Sequence, residues 1–233
     1  MADETINLSI SRSKRRSKFE TYSVPVTHTT RVLDAIIHVQ HNEDPTLGVR
    51  YACRVGMCGS CAIVINGREA LACQTTIESL GTRDIKVEPL RALPVQHDLM
   101  VDMKPFFDTI ARSSAALRPK TPKLKQMQTM PPKAPHRDLI ERQNGCITCG
   151  ACHSACEWSN THTGYLGPAA LNRLLMLSLD ERDMLGPKRL ETAARDDGAL
   201  RCHAVGSCGV VCPAEIPLRT GMQRLKGFLS QLG

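Results

Sequence analysis

Eleven cysteines in three groups constrain this chain of 233 residues more than any other feature. The first group is Cys53, Cys58, Cys61 and Cys73. A C-x4-C-x2-C spacing with a distant fourth cysteine is the plant-type ferredoxin arrangement for a 2Fe-2S cluster. Gly56 and Gly59 allow the loop to bend so that backbone N–H groups point at sulfur. A single structural zinc ion is the alternative, because thiolates bind both metals.

The other two groups form a doubled run of the bacterial ferredoxin type. The spacing C-x2-C-x2-C-x3-C is met by Cys146, Cys149, Cys152 and Cys156. In two-cluster ferredoxins the fourth cysteine of such a run binds the other cluster, so a partner run is required. The partner run consists of Cys202, Cys208 and Cys212, followed by Pro213, with Val205 where its second cysteine belongs.

Exchanging the fourth cysteines between the two runs gives a ligand assignment. A 4Fe-4S cluster is predicted on Cys146, Cys149, Cys152 and Cys212. Three thiolates remain, which fit a 3Fe-4S cluster whose vacant corner faces Val205: Cys156, Cys202 and Cys208. All eleven cysteines are then used, whereas zinc sites or disulfides leave cysteines unpaired and do not explain the doubled run.

The odd cysteine count also bears on the compartment, because it cannot be fully paired in disulfides. We expect a reducing, cytosolic environment in which thiols are available to metals. No signal or transit peptide is recognised, since Asp3 and Glu4 follow directly on the first two residues. The sequence contains no run of ~18 uncharged apolar residues, so no membrane-spanning helix is predicted. The protein is therefore expected to be soluble or peripheral to a membrane.

The first hundred residues predict a small α+β domain. Apolar residues alternate at Ile6–Ile10 and Tyr22–Val26, which indicates a β-hairpin with its tip at 11–18. A helix capped by Thr29 or Thr30 is expected to place Val32, Leu33, Ile36 and Ile37 on one face. Asn66-Gly67 predicts a second hairpin, and Ile85 with Val87 another strand.

The remainder of the chain is helical in character. Short amphipathic patterns begin at Phe106, and longer ones cover 168–179 and 217–229. The prolines and lysines of 118–135 predict a solvated linker, although its lysines can also face an acidic partner or anionic lipid headgroups. The predicted domains are 1–104 (2Fe-2S), 105–135 (helix and linker) and 136–233 (α-helical, with the 4Fe-4S and 3Fe-4S clusters).

The excess of basic over acidic residues leaves one alternative function of a different class, that of a zinc-stabilised protein that binds nucleic acid. The net charge is +7 and the pI about 8.9. The hairpin tip carries Arg12, Lys14, Arg15, Arg16 and Lys18. It has no interleaved aromatic residues and no recognition helix, so a solvated loop is favoured and no nucleic-acid partner is expected.

Several stretches between and around the cysteines resemble the iron–sulfur subunit of succinate dehydrogenase and fumarate reductase. They are the segments 33–36, 44–47, 58–61, 89–95, 98–103, 167–169 and 202–213. The resemblance implies a β-grasp plant-type ferredoxin domain followed by an all-α bacterial-ferredoxin-like domain. It also implies two partners, namely a flavoprotein subunit with covalently bound FAD and a membrane anchor that binds quinone.

On this resemblance the chain relays single electrons between the flavin and quinone and holds no catalytic acid, base or nucleophile. The family function implies a peripheral position on the cytoplasmic face of the inner (plasma) membrane. The direction, succinate oxidation or fumarate reduction, is left open. The same relay in a related flavoprotein complex, with another dicarboxylate or a thiol donor, is the second reading.

Two residues are candidates for the quinone vicinity. His203, next to Cys202, matches a family position near quinone, with an exposed helix histidine as the alternative. Trp158 is the other candidate, with a packing or interface role as its alternative. The segment departs from the family here, because Glu157 rather than proline follows Cys156 and the spacing to Gly167 is shorter.

Overall fold

The computed structural model describes residues 4–12, 18–120 and 129–231 and divides into two compact units. The first unit contains Met1–Pro105 together with two later segments, Ile147–Ala155 and Val211–Pro213. The second unit contains Phe106–Cys146, Cys156–Val210 and Ala214–Gly233. The chain therefore returns twice to the first unit after the second has begun.

A five-stranded mixed sheet and one helix form the body of the first unit. The strands are β1 (Glu4–Arg12), β2 (Lys18–Val26), β3 (Ala62–Ile65), β4 (Arg68–Leu71) and β5 (Asp84–Glu88), in the order β2-β1-β5-β3-β4. β1 runs parallel to β5, and the other neighbours are antiparallel. Helix α1 (Val32–Asn42) buries Val32, Leu33, Ala35, Ile36 and Val39. This is the predicted β-grasp arrangement.

Local details of the first unit follow from particular residues. The turn between β3 and β4 has positive φ at Asn66 (46°) and Gly67 (83°), as the Asn-Gly pair predicts. The N-cap of α1 is Arg31 rather than Thr29 or Thr30. Its backbone N–H donates to Asp34, whereas the Thr30 hydroxyl accepts from the Thr27 N–H.

The basic hairpin tip is shorter than predicted. Residues 13–17, which include Lys14, Arg15 and Arg16, lie outside the described part of the chain. Arg12 is not a solvated cation, because it is buried in β1 and pairs with Asp44 at 2.8 Å and Asp98 at 3.0 Å. Asp98 also accepts the Gly48 N–H, so Arg12 fixes the chain that leads into the first cysteine group.

Two further elements close the N-terminal region. Strands β6 (Val95–His97) and β7 (Met100–Val101) form a separate antiparallel pair, and α2 (Lys104–Arg112) follows. Phe106 of α2 is fully buried, while Phe107 is exposed.

The remaining helices follow α2 in the chain. They are α3 (Arg137–Asn144), α4 (Ala151–Ser154), α5 (Glu157–Thr161), α6 (Gly167–Leu179), α7 (Arg189–Ala194), α8 (Ser207–Val210) and α9 (Leu218–Leu229). Short 3-10 turns occur at Glu78–Leu80, Gly186–Lys188 and Ala199–Arg201. The core of the second unit joins Leu171, Leu174 and Leu175 of α6 to Met222 and Leu225 of α9. Among the described residues, no helix is both long and apolar enough to cross a membrane.

The start of the predicted linker is held in place by backbone hydrogen bonds. The Arg118 N–H donates to Asp183, and the Lys120 N–H donates to the carbonyl of Arg182. Residues 121–128, with Lys123 and Lys125, lie outside the described part of the chain.

A buried ion pair anchors this segment to the second unit. The Arg189 guanidinium donates to both carboxylate oxygens of Asp183, at 2.7 and 2.8 Å, and to the carbonyls of Ser114 and Ala116. Both side chains are almost fully buried. Burial by itself raises the pKa of Asp183, but hydrogen bonds from Arg189 and two backbone N–H groups outweigh it, so this pKa lies below its usual value.

Replacing Asp183 by asparagine is expected to lower the free energy of unfolding by about 3–5 kcal/mol, because Arg189 is left as an uncompensated buried charge. The difference from wild type should be full above the pKa of an unfolded aspartate and shrink in acid, where Asp183 becomes protonated in the native state as well. Denaturant midpoints followed by circular dichroism measure it. The control Asp196→Asn alters an exposed carboxylate and should change little; equal effects of the two variants would contradict the role of the pair.

Candidate metal centres

The first cysteine group occupies the long loop between α1 and β3 and the segment after β4. Cys53, Cys58 and Cys61 lie in the loop, and Cys73 follows β4. Gly56 and Gly59 have φ of 79° and 73°, which side chains rarely tolerate, so glycine is required where the loop folds back. The sheet thus fixes Cys73 while the glycines shape the loop.

Backbone N–H groups of this loop point at sulfur. The N–H groups of Val55 and Cys58 lie 3.5 and 3.3 Å from Cys53 Sγ, and that of Ser60 lies 3.5 Å from Cys58 Sγ. Hydrogen bonds, first from the Ser60 side chain and then from the backbone, lower the pKa of Cys58 to about 6. The loop therefore stabilises a thiolate, which is the form that binds iron.

Two cysteines of the first group, Cys61 and Cys73, are buried, whereas Cys58 is exposed. Burial raises the pKa of Cys61 to about 12, and the neighbouring Cys73 and Cys58 sulfurs add to the effect. Two thiols that oppose each other's ionisation in this way need a compensating positive charge, which iron supplies when a cluster is bound.

Gln74 covers the buried fourth cysteine. Its amide Nε2 lies 3.1 Å from the Cys73 carbonyl and 3.6 Å from Cys73 Sγ. A Cβ on Gly56 would come within 3.0 Å of the Gln74 side chain, so the amide rests directly on the cysteine loop. The Arg31 guanidinium also donates to the Cys73 carbonyl. Nothing in the cysteine spacing identifies Gln74, apart from its position next to Cys73.

The second cysteine run lies partly against the first. Cys149 and Cys152 belong to the segment 147–155, which packs in the first unit. A Cβ on Gly59 would lie 2.7 Å from the Cβ of Cys149, so only glycine permits this approach. Ser154 secures the segment, because it donates to the buried Glu69 at 2.8 Å and accepts from the Arg91 N–H at 2.7 Å.

The third group converges in the second unit. Cys156 and Cys202 pack against the buried cluster that contains Tyr165. Burial raises the pKa of Tyr165, and charges on Cys202, Cys156 and Cys208 raise it further. Burial, followed by Cys156 and Cys202, raises the pKa of Cys208 to about 11. The spacing of the cysteines gave no indication of Tyr165. Val205 is largely exposed to solvent, with 72% of its surface accessible.

Three aromatic rings stack beside this group. The Trp158 ring lies 3.6 Å from the ring of His162, at an interplanar angle of 15°. The Trp158 ring is also stacked with the ring of His203. The two ring centroids are 5.1 Å apart, and the interplanar angle is 28°. Trp158 and His203, both singled out from the sequence, are therefore neighbours, and His162 is an addition that the sequence did not predict.

The donor set fits iron–sulfur clusters. All eleven cysteines are free, so disulfides do not compete for them. Within 4–12, 18–120 and 129–231, no three Cys, His, Asp or Glu side chains are grouped to hold one metal ion. Clusters need no such group, because each iron of a 2Fe-2S or 4Fe-4S cluster takes only two or one of the four cysteine thiolates and is otherwise bound by inorganic sulfide.

Comparisons with known proteins now identify the two halves. Residues 7–108 match the family model described as a 2Fe-2S iron-sulfur cluster binding domain, and residues 142–216 match a 4Fe-4S dicluster domain. The fumarate reductase iron-sulfur subunit of Mycobacterium tuberculosis is 34% identical over 209 residues, covering 89% of this chain and 84% of its own length. The chain belongs to the family of fumarate reductase and succinate dehydrogenase iron–sulfur subunits.

Two other comparisons agree with this family. The fumarate reductase iron-sulfur subunit of Haemophilus influenzae is 32% identical over 206 residues, covering 84% of this chain and 80% of its own length. A chain in the structure of the Mycobacterium smegmatis Sdh1 complex in the apo form superposes with a TM-score of 0.90 at 27% identity, covering 99% of this chain and 98% of that one. The fold class predicted from the sequence is confirmed, as is the function of an iron–sulfur electron-transfer subunit.

The Gln74 amide generates a prediction about the 2Fe-2S centre. Gln74→Leu removes an N–H donor from Cys73 sulfur, and donors to sulfur favour the reduced, more negative cluster. We expect a lower reduction potential for this centre, measured by EPR-monitored redox titration. The control Gln96→Leu makes the same replacement at an exposed residue in β6 and should leave the potential unchanged. A Gln74 variant that titrates like wild type would show that the amide does not act on the cluster.

Proposed function

We propose that this subunit relays single electrons between the FAD of a flavoprotein subunit and quinone bound at a membrane anchor. The observation that carries the proposal is that the two cluster-domain matches, 7–108 and 142–216, together include all eleven cysteines. When bound, clusters of different nuclearity supply one-electron carriers at different potentials. The protein contributes their spacing, their hydrogen bonds and their burial.

The proposed ligand sets are those given by the spacing. Cys53, Cys58, Cys61 and Cys73 hold the 2Fe-2S cluster, and Cys146, Cys149, Cys152 and Cys212 the 4Fe-4S cluster. The close approach of Gly59 to Cys149 supports a short path between these two sites. Electron transfer along such a relay depends on neighbouring centres being near each other, and this packing favours it.

Cys156, Cys202 and Cys208 are proposed to hold a 3Fe-4S cluster. The packing of Cys156 and Cys202 against the cluster of Tyr165 supports a common site, and Val205 occupies the sequence position of the missing thiolate. The N–H of Ala204 lies 3.3 Å from Cys202 Sγ and supplies a donor to sulfur. A 3Fe-4S centre generally has a higher potential than a cubane, which suits the quinone end of the relay.

The quinone is proposed to bind near Trp158 and His203. Their rings stack beside the third cysteine group, and His203 directly follows Cys202. Both histidines of the stack are exposed, so the rings are accessible to a partner subunit. A stacked aromatic surface with polar ring nitrogens suits a planar ring that carries two carbonyl oxygens.

The partners follow from the family and from exposed apolar residues. Val55 and Met57 project from the first cysteine loop, where the flavoprotein is proposed to dock. Val205 and Val210 are exposed by the third group, where the anchor is proposed to dock. Exposed apolar side chains beside proposed redox centres are typical of surfaces that a partner covers. We propose, from the family, that the subunit lies peripherally at the cytoplasmic face of the inner (plasma) membrane.

The substrate pair remains a separate proposal. Relatives named as fumarate reductase subunits and a structural match in a complex named Sdh1 favour the succinate–fumarate pair. The second candidate is the same relay serving another dicarboxylate or a thiol donor. Steady-state assays of the native complex with succinate, fumarate and these alternatives distinguish the two.

The relay is tested by low-temperature EPR and iron analysis of the anaerobically purified chain. We expect about nine irons per chain, distributed as two, four and three over the clusters. The air-oxidised sample should give a near-isotropic 3Fe-4S signal that disappears on dithionite reduction, when a 2Fe-2S signal replaces it. Bound zinc, or an EPR-silent oxidised sample with two cubanes, would overturn the proposed ligand sets.

Val205→Cys tests the incomplete cluster directly. A thiolate at this position completes the second ferredoxin run, so the 3Fe-4S centre is expected to become a 4Fe-4S centre. The oxidised signal should be lost and the iron content should rise by about one per chain. Val205→Ala supplies no ligand and should keep the wild-type spectrum. An unchanged spectrum in the cysteine variant would count against Cys156, Cys202 and Cys208 as the ligand set.

A further inference from the structure

A cavity of about 610 Å³ lies in the second unit, apart from the cysteine groups. Its walls are the chain just before α3, one face of α3 and the first half of α9. Neither the proposed relay nor the family comparisons assign a role to it. Its size is that of a small-molecule site.

The lining of this cavity is strongly cationic. Four of its side chains carry a positive charge: Lys133, Arg137, Arg142 and Arg224. Asp138 is the only carboxylate among the lining residues, and His136 is a further titratable group. Arg137 also donates to the Met130 carbonyl. Within the described part of the chain, neither Arg142 nor Arg224 forms an ion pair with a carboxylate.

This concentration of charge favours an anion. Like charges around a concave surface repel one another, and the low-dielectric walls of a cleft focus their field. A bound anion relieves that repulsion and gains charge-assisted hydrogen bonds. Arginine in particular donates two parallel hydrogen bonds to carboxylate or phosphate oxygens.

A buried amide provides an independent observation. Gln143 lines the same cavity and is only 1% exposed. Its Nε2 and Oε1 have no hydrogen-bond partner among the described residues, although buried polar atoms are nearly always paired. Gly221 of α9 leaves room for the amide, because a Cβ there would come within 3.2 Å of Nε2. The Gln143 amide is thus a buried donor without a partner, on a residue that lines the cationic cavity.

The backbone beside the cavity is also unusual. His136, the N-cap of α3, has φ of 61°, in the left-handed region that side chains rarely adopt. Non-glycine residues in this region are found more often at binding sites than elsewhere.

We propose that this cavity binds a phosphate-bearing anion, held by Arg142 and Arg224 with the Gln143 amide as a further donor. Phosphate is favoured over a single carboxylate because it offers more acceptor oxygens to several cations. A free phosphate monoester also has a charge approaching two at neutral pH. The phosphate can belong to a free metabolite or to the headgroup of an anionic phospholipid. The site is independent of the electron relay.

The test uses the anaerobically reconstituted full chain and two probes. Pyrophosphate binding is measured by calorimetry, and membrane binding by flotation with phosphatidylcholine vesicles with and without phosphatidylglycerol. The double variant Arg142→Gln/Arg224→Gln is compared with Lys120→Gln/Lys188→Gln, which removes the same charge outside the cavity lining. We expect the cavity variant to bind about tenfold or more weakly and the control to bind like wild type.

The two probes separate the sources of phosphate. Saturable pyrophosphate binding that depends on the cavity arginines indicates a free ligand. Selective flotation with phosphatidylglycerol that depends on the same arginines indicates a lipid headgroup. Equal losses in the cavity and control variants would show a general charge effect and overturn the site, as would the failure of wild type to bind either probe.

Gln143→Leu gives a second test without changing the net charge. Removing a buried, unpaired amide should leave the chain at least as stable. Binding of the probe that wild type recognises should nevertheless weaken. Unaltered binding, whatever the stability, would refute the assignment of the amide to the site. EPR spectra of all variants should match wild type. A failure of the anion site can then be told apart from a failure of the proposed electron relay.

Discussion

Gly59 and Cys149 approach so closely that a single added carbon atom would collide, and the packing of 147–155 in the first unit depends on this contact. It brings the loop of the first cysteine group against the start of the second run. The contact is supported by Ser154, which joins the buried Glu69 of β4 to the Arg91 backbone. A glycine with positive φ therefore does two things at once: it lets the loop fold back, and it gives the second run a place to pack.

Polar networks fix the segments that the apolar cores leave free. Arg12 joins β1 to the chain before the cysteine loop through Asp44 and Asp98. Asp183 and Arg189 similarly hold the segment 114–118 in the second unit. Such buried charges lose hydration, and they are tolerated because each is met by several partners. The chain contains few aromatic residues, so these networks take over part of the ordering that large rings provide in other proteins.

Much of the fold could be predicted because its signals are local. The alternation in β1 and β2, the Asn66-Gly67 turn and the apolar face of α9 all act over a few residues. Strands β6 and β7 were missed because two or three residues carry no periodicity, and Arg31 was missed as a cap because its side chain is atypical for that role. The return of 147–155 to the first unit rests on contacts such as Ser154 with Glu69, which no local pattern reveals.

The same division holds for the candidate site. Cysteine spacing predicts ligand sets, because each cluster type imposes its own spacing. The groups around the sulfurs are set by the fold: Gln74 over Cys73, Tyr165 among the third group, and His162 against Trp158. Only Gln74 is next to a cysteine in sequence, and even there nothing in the pattern tells a sulfur donor from an ordinary surface glutamine.

The order in which the chain is synthesised has a consequence for how the first unit is completed. Its sheet and its first cysteine group leave the ribosome early, but Val211–Pro213, which includes Cys212, belongs to the same unit and emerges near the end. At usual translation rates the delay is on the order of ten seconds. During that interval the surface that later receives these residues is bare, so the first unit stays incomplete until Val211–Pro213 has been made.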